Sequence, residues 1–111
     1  MINVEKRDNI DIITFDVNKI NALITDDIRE EVGRVCNNGS SKIILNLQGV
    51  EYIDSSGFGC LLSILKSARN NYCTLKLAKP EPAVMLVLHT LHLHTVFDIF
   101  DDLDDCIRSM K

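Results

Sequence analysis

The sequence holds no tryptophan, two prolines and five glycines, and aromatic residues make up only 5% of it. No repeat, low-complexity tract or linker interrupts it, which sets aside fibrous and disordered classes. Positive charge is not in excess: 12 Lys and Arg stand against 16 Asp and Glu, for a formal net charge of −4. The basic residues are scattered, so the footprint that phosphate backbones or anionic lipids require is missing, and neither nucleic acid nor a membrane is an expected partner. The longest uninterrupted apolar run, Ala83–Leu88, falls far short of the roughly 20 residues needed to span a bilayer. The opening Met1-Ile2-Asn3-Val4-Glu5-Lys6 lacks a basic region followed by an apolar stretch, so no secretory signal is expected and a cytoplasmic location is. Cys36, Cys60, Cys73 and Cys106 form no C-x-x-C pair, which removes zinc-ribbon and redox spacings. They are expected to be reduced and to behave as small hydrophobes. Cys60, following a glycine-containing turn, has the strongest claim to reactivity among them.

What is present is an ordinary folding composition. The chain has 111 residues, 46% hydrophobic and 25% charged, enough for one domain over residues 1–111 with one core and no need of staples. Residues 2–7 and 10–16 read as a hairpin joined at Asp8-Asn9, a turn-favouring pair. Thr25 can cap a helix with Asp26 and Asp27 in its first turn and Ile28, Val32, Val35 and Cys36 on one face. Lys42-Ile43-Ile44-Leu45-Asn46-Leu47 is nearly all apolar, the pattern of a strand buried on both faces. A second helix runs to about Asn70 with Phe58, Leu61, Leu62, Leu65 and Ala68 on its core stripe. Tyr72–Ala78 reads as a strand, and Pro80 and Pro82 introduce a third helix whose core face is Val84, Val87, Leu88 and Leu91. Val96–Phe100 reads as a short strand and Leu103–Met110 as a last helix with acidic residues at its start. Strands alternating with helices after a hairpin predict an α/β fold with a mixed, mostly parallel sheet, one antiparallel N-terminal strand and four helices.

Chemistry is concentrated in Asp54-Ser55-Ser56-Gly57-Phe58-Gly59, where a buried strand turns into a helix. Free backbone N–H groups and the positive end of a helix dipole meet two hydroxyls there, so a negative group is tolerated. Ser56 is the expected N-cap, and Gly57 eases the turn. A helical projection leaves Gly59, Ser63, Lys66 and Ser67 opposite the core stripe, with Cys60 and Ile64 at the margin.

An apolar strand, the loop Gln48-Gly49-Val50-Glu51-Tyr52-Ile53, the D-S-S-G block Asp54–Gly57 and an apolar helix together resemble the STAS domain of bacterial anti-sigma factor antagonists. The likeness extends from the N-terminal hairpin to Phe97-Asp98-Ile99-Phe100-Asp101-Asp102, and implies a STAS-like fold. It also implies a phosphorylation-switched binding module rather than an enzyme. In that family the first serine of D-S-[ST]-G is phosphorylated by an anti-sigma factor that is also a serine kinase. The resemblance, not the physics of the turn, therefore selects Ser55. The unphosphorylated antagonist sequesters the kinase and frees a sigma factor, and a serine phosphatase regenerates it. Nucleotide and magnesium belong to the kinase, so no cofactor or metal is expected in this chain. The docking surface implied is Asp54, Ser55, Ser56, Gly57, Gly59, Cys60, Ser63, Ile64 and Ser67.

The chain departs from the family where G-x-x-D often follows the second strand: it has Asn18-Lys19-Ile20-Asn21. On the third helix, usual basic positions are Met85 and Leu86, which the projection leaves off the core stripe. They are expected to line a second contact surface, such as a homodimer. A second role compatible with the family is an accessory or scaffold subunit of a stress-signalling or lipid-transport complex without a phospho-switch. A phospho-acceptor receiver domain needs an acidic pair that Asn18 and Asn21 do not supply. A serine hydrolase is disfavoured because the motif is not G-x-S-x-G and no histidine is placed as base. His89, His92 and His94 alternate with Leu91 and Leu93 as solvated junction residues would, and Asp98, Asp101, Asp102, Asp104 and Asp105 lack a D-x-D-x-D-G loop and fit a helix start.

Overall fold

The structure, a computed structural model describing Met1–Lys111, begins with a hairpin. Its turn residues, Asp8 and Asn9, both take positive φ (54° and 64°). Two successive left-handed residues make the tight turn whose twist matches a hairpin, and Asp and Asn tolerate that region better than most side chains. β1 (Ile2–Arg7) and β2 (Ile10–Phe15) pair antiparallel from Arg7–Ile10 to Ile2–Phe15. β2 continues into β3 (Lys19–Ile20), α1 (Thr25–Asn37), β4 (Lys42–Asn46), β5 (Tyr52–Ile53), α2 (Ser55–Asn70) and β6 (Thr74–Ala78). α3 (Pro82–Thr90), a 3-10 turn at Leu93–Thr95, β7 (Ile99–Phe100) and α4 (Leu103–Ser109) complete the chain.

The main sheet has the order β1-β2-β4-β6-β7, parallel throughout except for the β1–β2 pair. β4 is at its centre with Ile43, Ile44 and Leu45 sealed from solvent, as its unbroken apolar run predicts. Alternation then sorts the side chains into two layers. Ile13, Ile43 and Leu45 join residues of α1, α2 and α3 in the larger core. Ile10, Ile12, Ile44 and Ala78 meet Cys106, Ile107 and Met110 from the α4 region on the opposite face. The expected mixed sheet and four helices are thus present.

Several local expectations need correction. Thr25 does not cap α1: Ile24 holds the cap position, and Thr25, already helical, donates its hydroxyl to the Ala22 carbonyl at 3.4 Å. A separate parallel pair, β3–β5, is absent from the sequence reading because two-residue strands carry no measurable periodicity. The strand expected from Tyr72 starts at Thr74, since Tyr72 has φ +57° and lies 94% exposed in the preceding turn. The strand expected from Val96 is only Ile99–Phe100, because the 3-10 turn Leu93–Thr95 takes up the residues before it, with Val96 and Phe97 N–H groups both donating to the Leu93 carbonyl.

The helical projections also shift. On α2, Leu62 is exposed rather than core. On α3 the buried residues are Val84 and Leu88, with Met85 packed against the same core, while Val87 and Leu91 are exposed. α3 is therefore rotated toward Met85. Pro82 at its first turn and Glu81, whose Oε2 accepts from Gly49 N–H at 2.8 Å, fix where the helix begins over the β4–β5 connection. A nine-residue helix anchored in this way buries a narrow face.

All four cysteines are buried, in line with the small-hydrophobe role expected of them. Burial pushes every thiol up, Cys73 to about 12 and Cys106 to about 11, from an ordinary value of 9.0. Below pH 9 both folded and unfolded chains hold these protons, so stability does not depend on them. Above it the unfolded chain releases protons that the folded chain keeps, and stability falls by up to about 1.4 kcal/mol per pH unit for each such thiol. Urea unfolding at pH 8 and pH 10.5 should show a smaller decline for Cys73→Ala/Cys106→Ala than for the parent chain; equal declines would contradict this.

Candidate functional site

The D-S-S-G block opens α2, and Asp54 rather than Ser56 is its N-cap. Asp54 is extended (φ −85°, ψ −178°), and its Oδ1 accepts from Gly57 N–H at 2.8 Å. Ser55 and Ser56 already lie in the first helical turn, so neither has the extended geometry a cap needs. Both serines are exposed, and Asp54 is half-buried behind them.

The β3–β5 pair supports this turn from beneath. Asp54 N–H donates to the Ile20 carbonyl at 3.1 Å, while Glu51 and Tyr52 N–H groups both reach the Asn18 carbonyl. A Cβ on Gly57 would stand 2.5 Å from Ile53 Cγ2 and 2.8 Å from the Ile20 carbonyl oxygen. Gly57 is thus required by close packing, at an ordinary helical φ. Where the family often carries G-x-x-D, Asn18 needs no positive φ. Asn21 Oδ1 accepts from Leu23 N–H at 3.0 Å and shapes the loop into α1.

The surface expected for docking divides in two. Ser55, Ser56, Gly59, Ser63 and Ser67 are exposed along α2, with Lys66 among them. Gly57, Cys60 and Ile64 are buried, which corrects their place at a contact surface. α1 packs across that side of α2: the Cys60 thiol donates to the Thr25 carbonyl at 3.5 Å, and Ile64 lies in the seam with Val32 and Cys36. Burial raises the Cys60 thiol above its usual value, the reverse of what a reactive cysteine needs.

Two exposed apolar residues stand on the segments that build the site's ladder, and sequence reasoning passed over both. Leu23, in the β3–α1 loop, is 88% exposed, and Tyr52, on β5, is 57% exposed. Neither belongs to a periodic run; Tyr52 stands two residues before Asp54, and Leu23 three residues after Ile20, whose carbonyl accepts from Asp54 N–H. Elsewhere, His89 and His94 stack with ring centroids 4.2 Å apart, with His92 tilted 6.0 Å from His94. Asp102 caps α4 through Asp104 N–H at 2.8 Å, with Asp104 and Asp105 in the first turn, the helix-start role expected of the acidic cluster; Asp98 lies outside it, before β7, and pairs with Lys76 at 3.9 Å. No helix is long and apolar enough to cross a membrane.

A five-stranded mixed sheet with helices on both faces and a D-S-S-G turn at the start of α2 define a small α/β fold. The STAS domain family model matches residues 1–106, and the chain belongs to that family. It is 32% identical over 75 residues to a Thermotoga maritima protein provisionally named an anti-sigma factor antagonist, an alignment covering 68% of this chain and 66% of the relative. A crystal structure of such a Thermotoga maritima antagonist superposes with a TM-score of 0.85 at 26% identity, covering 97% of this chain and 92% of that one. The anti-sigma factor antagonist SpoIIAA shares the fold in its unphosphorylated form, with a TM-score of 0.81 at 19% identity over 99% and 96% of the two chains. Its phosphorylated form, from Bacillus, gives 0.74 at 18% identity over the whole of both.

The packing makes a contrast between two glycines of one turn. Gly57→Ala should cost about 1–3 kcal/mol because the added methyl meets Ile53 and the Ile20 carbonyl. At Gly59 a Cβ meets nothing within 4 Å, so Gly59→Ala should stabilise by about 0.5–1 kcal/mol through helix propensity. Urea midpoints for the two variants test this; a shift of the same sign in both would contradict the packing account.

Proposed function

We infer that this chain is an anti-sigma factor antagonist, a cytoplasmic binding module switched by phosphorylation of Ser55. Unphosphorylated, it sequesters an anti-sigma factor serine kinase and so releases a sigma factor; phosphorylation ends the complex, and a serine phosphatase restores it. The nucleotide and its magnesium belong to the kinase. The observation that carries this reading is that Ser55 is exposed at the first helical position of α2 while Asp54 supplies the cap. The Ser55 hydroxyl is therefore not committed to holding the helix.

The electrostatics favour a switch that acts on docking rather than on folding. A phosphate at a helix N-terminus interacts favourably with the dipole and the free N–H groups of the first turn, so α2 tolerates it. Against a partner, the same group adds nearly two negative charges beside Asp54, and those charges resist desolvation. Leu23 and Tyr52 are suited to anchor the partner, since large side chains beside a polar centre commonly carry much of an interface's energy. The likeness to SpoIIAA, which has been solved with and without its phosphate, supports the reading.

Phosphopeptide mapping after incubation with ATP and the anti-sigma factor kinase should place the phosphate on Ser55 alone. Modification of Ser56, or none, would overturn the assignment, and none would favour a scaffold subunit without a phospho-switch. By isothermal titration, Ser55→Asp should bind the kinase about 1–3 kcal/mol more weakly than the parent chain, with an unchanged circular dichroism spectrum. Equal affinity would mean that the switch does not run through this residue.

A further inference from the structure

The end of α3 gathers three histidines. Leu91 closes the helix, and His92 takes a left-handed conformation with φ 57°, a region that histidine enters more readily than most side chains do. His92 N–H donates to the His89 carbonyl at 3.0 Å, and the His92 carbonyl accepts from Thr95 Oγ1 at 2.7 Å. The chain thereby folds back, Leu93 is buried, and His94 returns to the last turn of α3. In a continuing helix, residues five apart would point roughly 140° away from each other. Here the His89 and His94 rings stack with centroids 4.2 Å apart and 16° between their planes, and the His92 ring lies 6.0 Å from that of His94. All three side chains are exposed.

We propose that His89, His92 and His94 bind a divalent transition ion of the zinc type. Imidazole nitrogen is a donor that such ions favour, whereas hard cations such as magnesium select oxygen. The surroundings suit a cation. From Pro82 to Phe97 there is no Lys or Arg to repel one. The histidines stand at the C-terminal end of α3, where helix carbonyls without intrahelical partners carry partial negative charge. The chain as a whole has a net charge of −4, which draws cations toward it. The three donors also fall within six consecutive residues, so a metal closes only a short loop.

The rings lie side by side and do not close around a common point. A metal about 2.0–2.1 Å from each nitrogen requires the stacked pair to open. Exposed imidazoles can do this by turning about χ2, a torsion with a broad profile. With water completing the coordination shell, the site has the three-ligand, open character of zinc sites that are not purely structural. No Asp or Glu lies within the segment to orient the rings from behind, so its affinity falls below that of a closed structural centre. It shares no residue with the D-S-S-G turn, and a bound metal ties the last turn of α3 to the turn that follows it.

Isothermal titration of zinc chloride into the full chain, first freed of metal with a chelator, tests the proposal without any partner. One ion per chain is expected. His89→Ala and His94→Ala should each raise the dissociation constant by at least about tenfold, with unchanged circular dichroism spectra, as expected for exposed positions. His92→Asn, which keeps a residue tolerant of the left-handed turn, should raise it as well. In NMR spectra of the parent chain, the ring C–H signals of the three histidines should move with zinc and stay in place with magnesium chloride. If an alanine variant disturbs the fold, those ring signals decide. Absence of binding at millimolar zinc, an affinity unchanged in both alanine variants, or shifts centred on Asp101–Asp105 instead of the histidines would overturn the proposal.

Discussion

The first turn of α2 lies against the β3–β5 pair with no room for one methyl group, and Asp54 joins the two. Its N–H donates to the Ile20 carbonyl, its Oδ1 accepts from Gly57 N–H, and its own carbonyl accepts from Phe58 N–H at 3.0 Å. A single residue therefore ends the small ladder, caps the helix and starts its hydrogen-bond series. Because the ladder is built from the segments following β2 and β4, the position of Ser55 is tied to the central sheet rather than to a free loop. Larger cores supply stability, but this contact sets where the two serines stand.

That arrangement separates two tasks along α2. The side bearing Gly57, Cys60, Leu61 and Ile64 is committed to packing, and α1 closes over part of it. The outward side carries Ser55, Gly59, Ser63 and Ser67, small residues over which a partner can approach closely. A charge added at Ser55 in the proposed switch falls on the outward side, where it meets solvent and the dipole of α2 without burying an ion.

Much of this architecture is legible in the residues. The unbroken apolar run at Ile43–Leu45 marks a central strand, Asp8-Asn9 marks the hairpin, and Asp54-Ser55-Ser56-Gly57 marks the turn that matters. Other features depend on tertiary contacts that periodicity does not encode. β3 and β5 are two residues each, so they appear only once paired. Ser56 reads as a cap by residue type, but caps are chosen by backbone conformation, and the extended residue is Asp54. Cys60 and Ile64 project to the margin of an isolated helix, and α1 decides that the margin is inside. α3 is apolar nearly all round, which makes its projection ambiguous; the anchor between Glu81 and Gly49 settles its rotation. Leu23 and Tyr52 belong to no pattern, and their significance is positional.

The central claim is that the D-S-S-G turn is held in one geometry, so that modification at Ser55 acts through the surface and not through the fold. Amide hydrogen exchange measured by NMR on the unphosphorylated and Ser55-phosphorylated chains tests it directly. Protection of Gly57, of Phe58 and of the β4 amides should be the same within about twofold in the two forms, with chemical-shift changes confined to the first turn of α2 and its immediate neighbours. Loss of protection at Gly57 that extends into β4 or the α1–α2 seam would show that the phosphate works by loosening the fold, and would contradict the account.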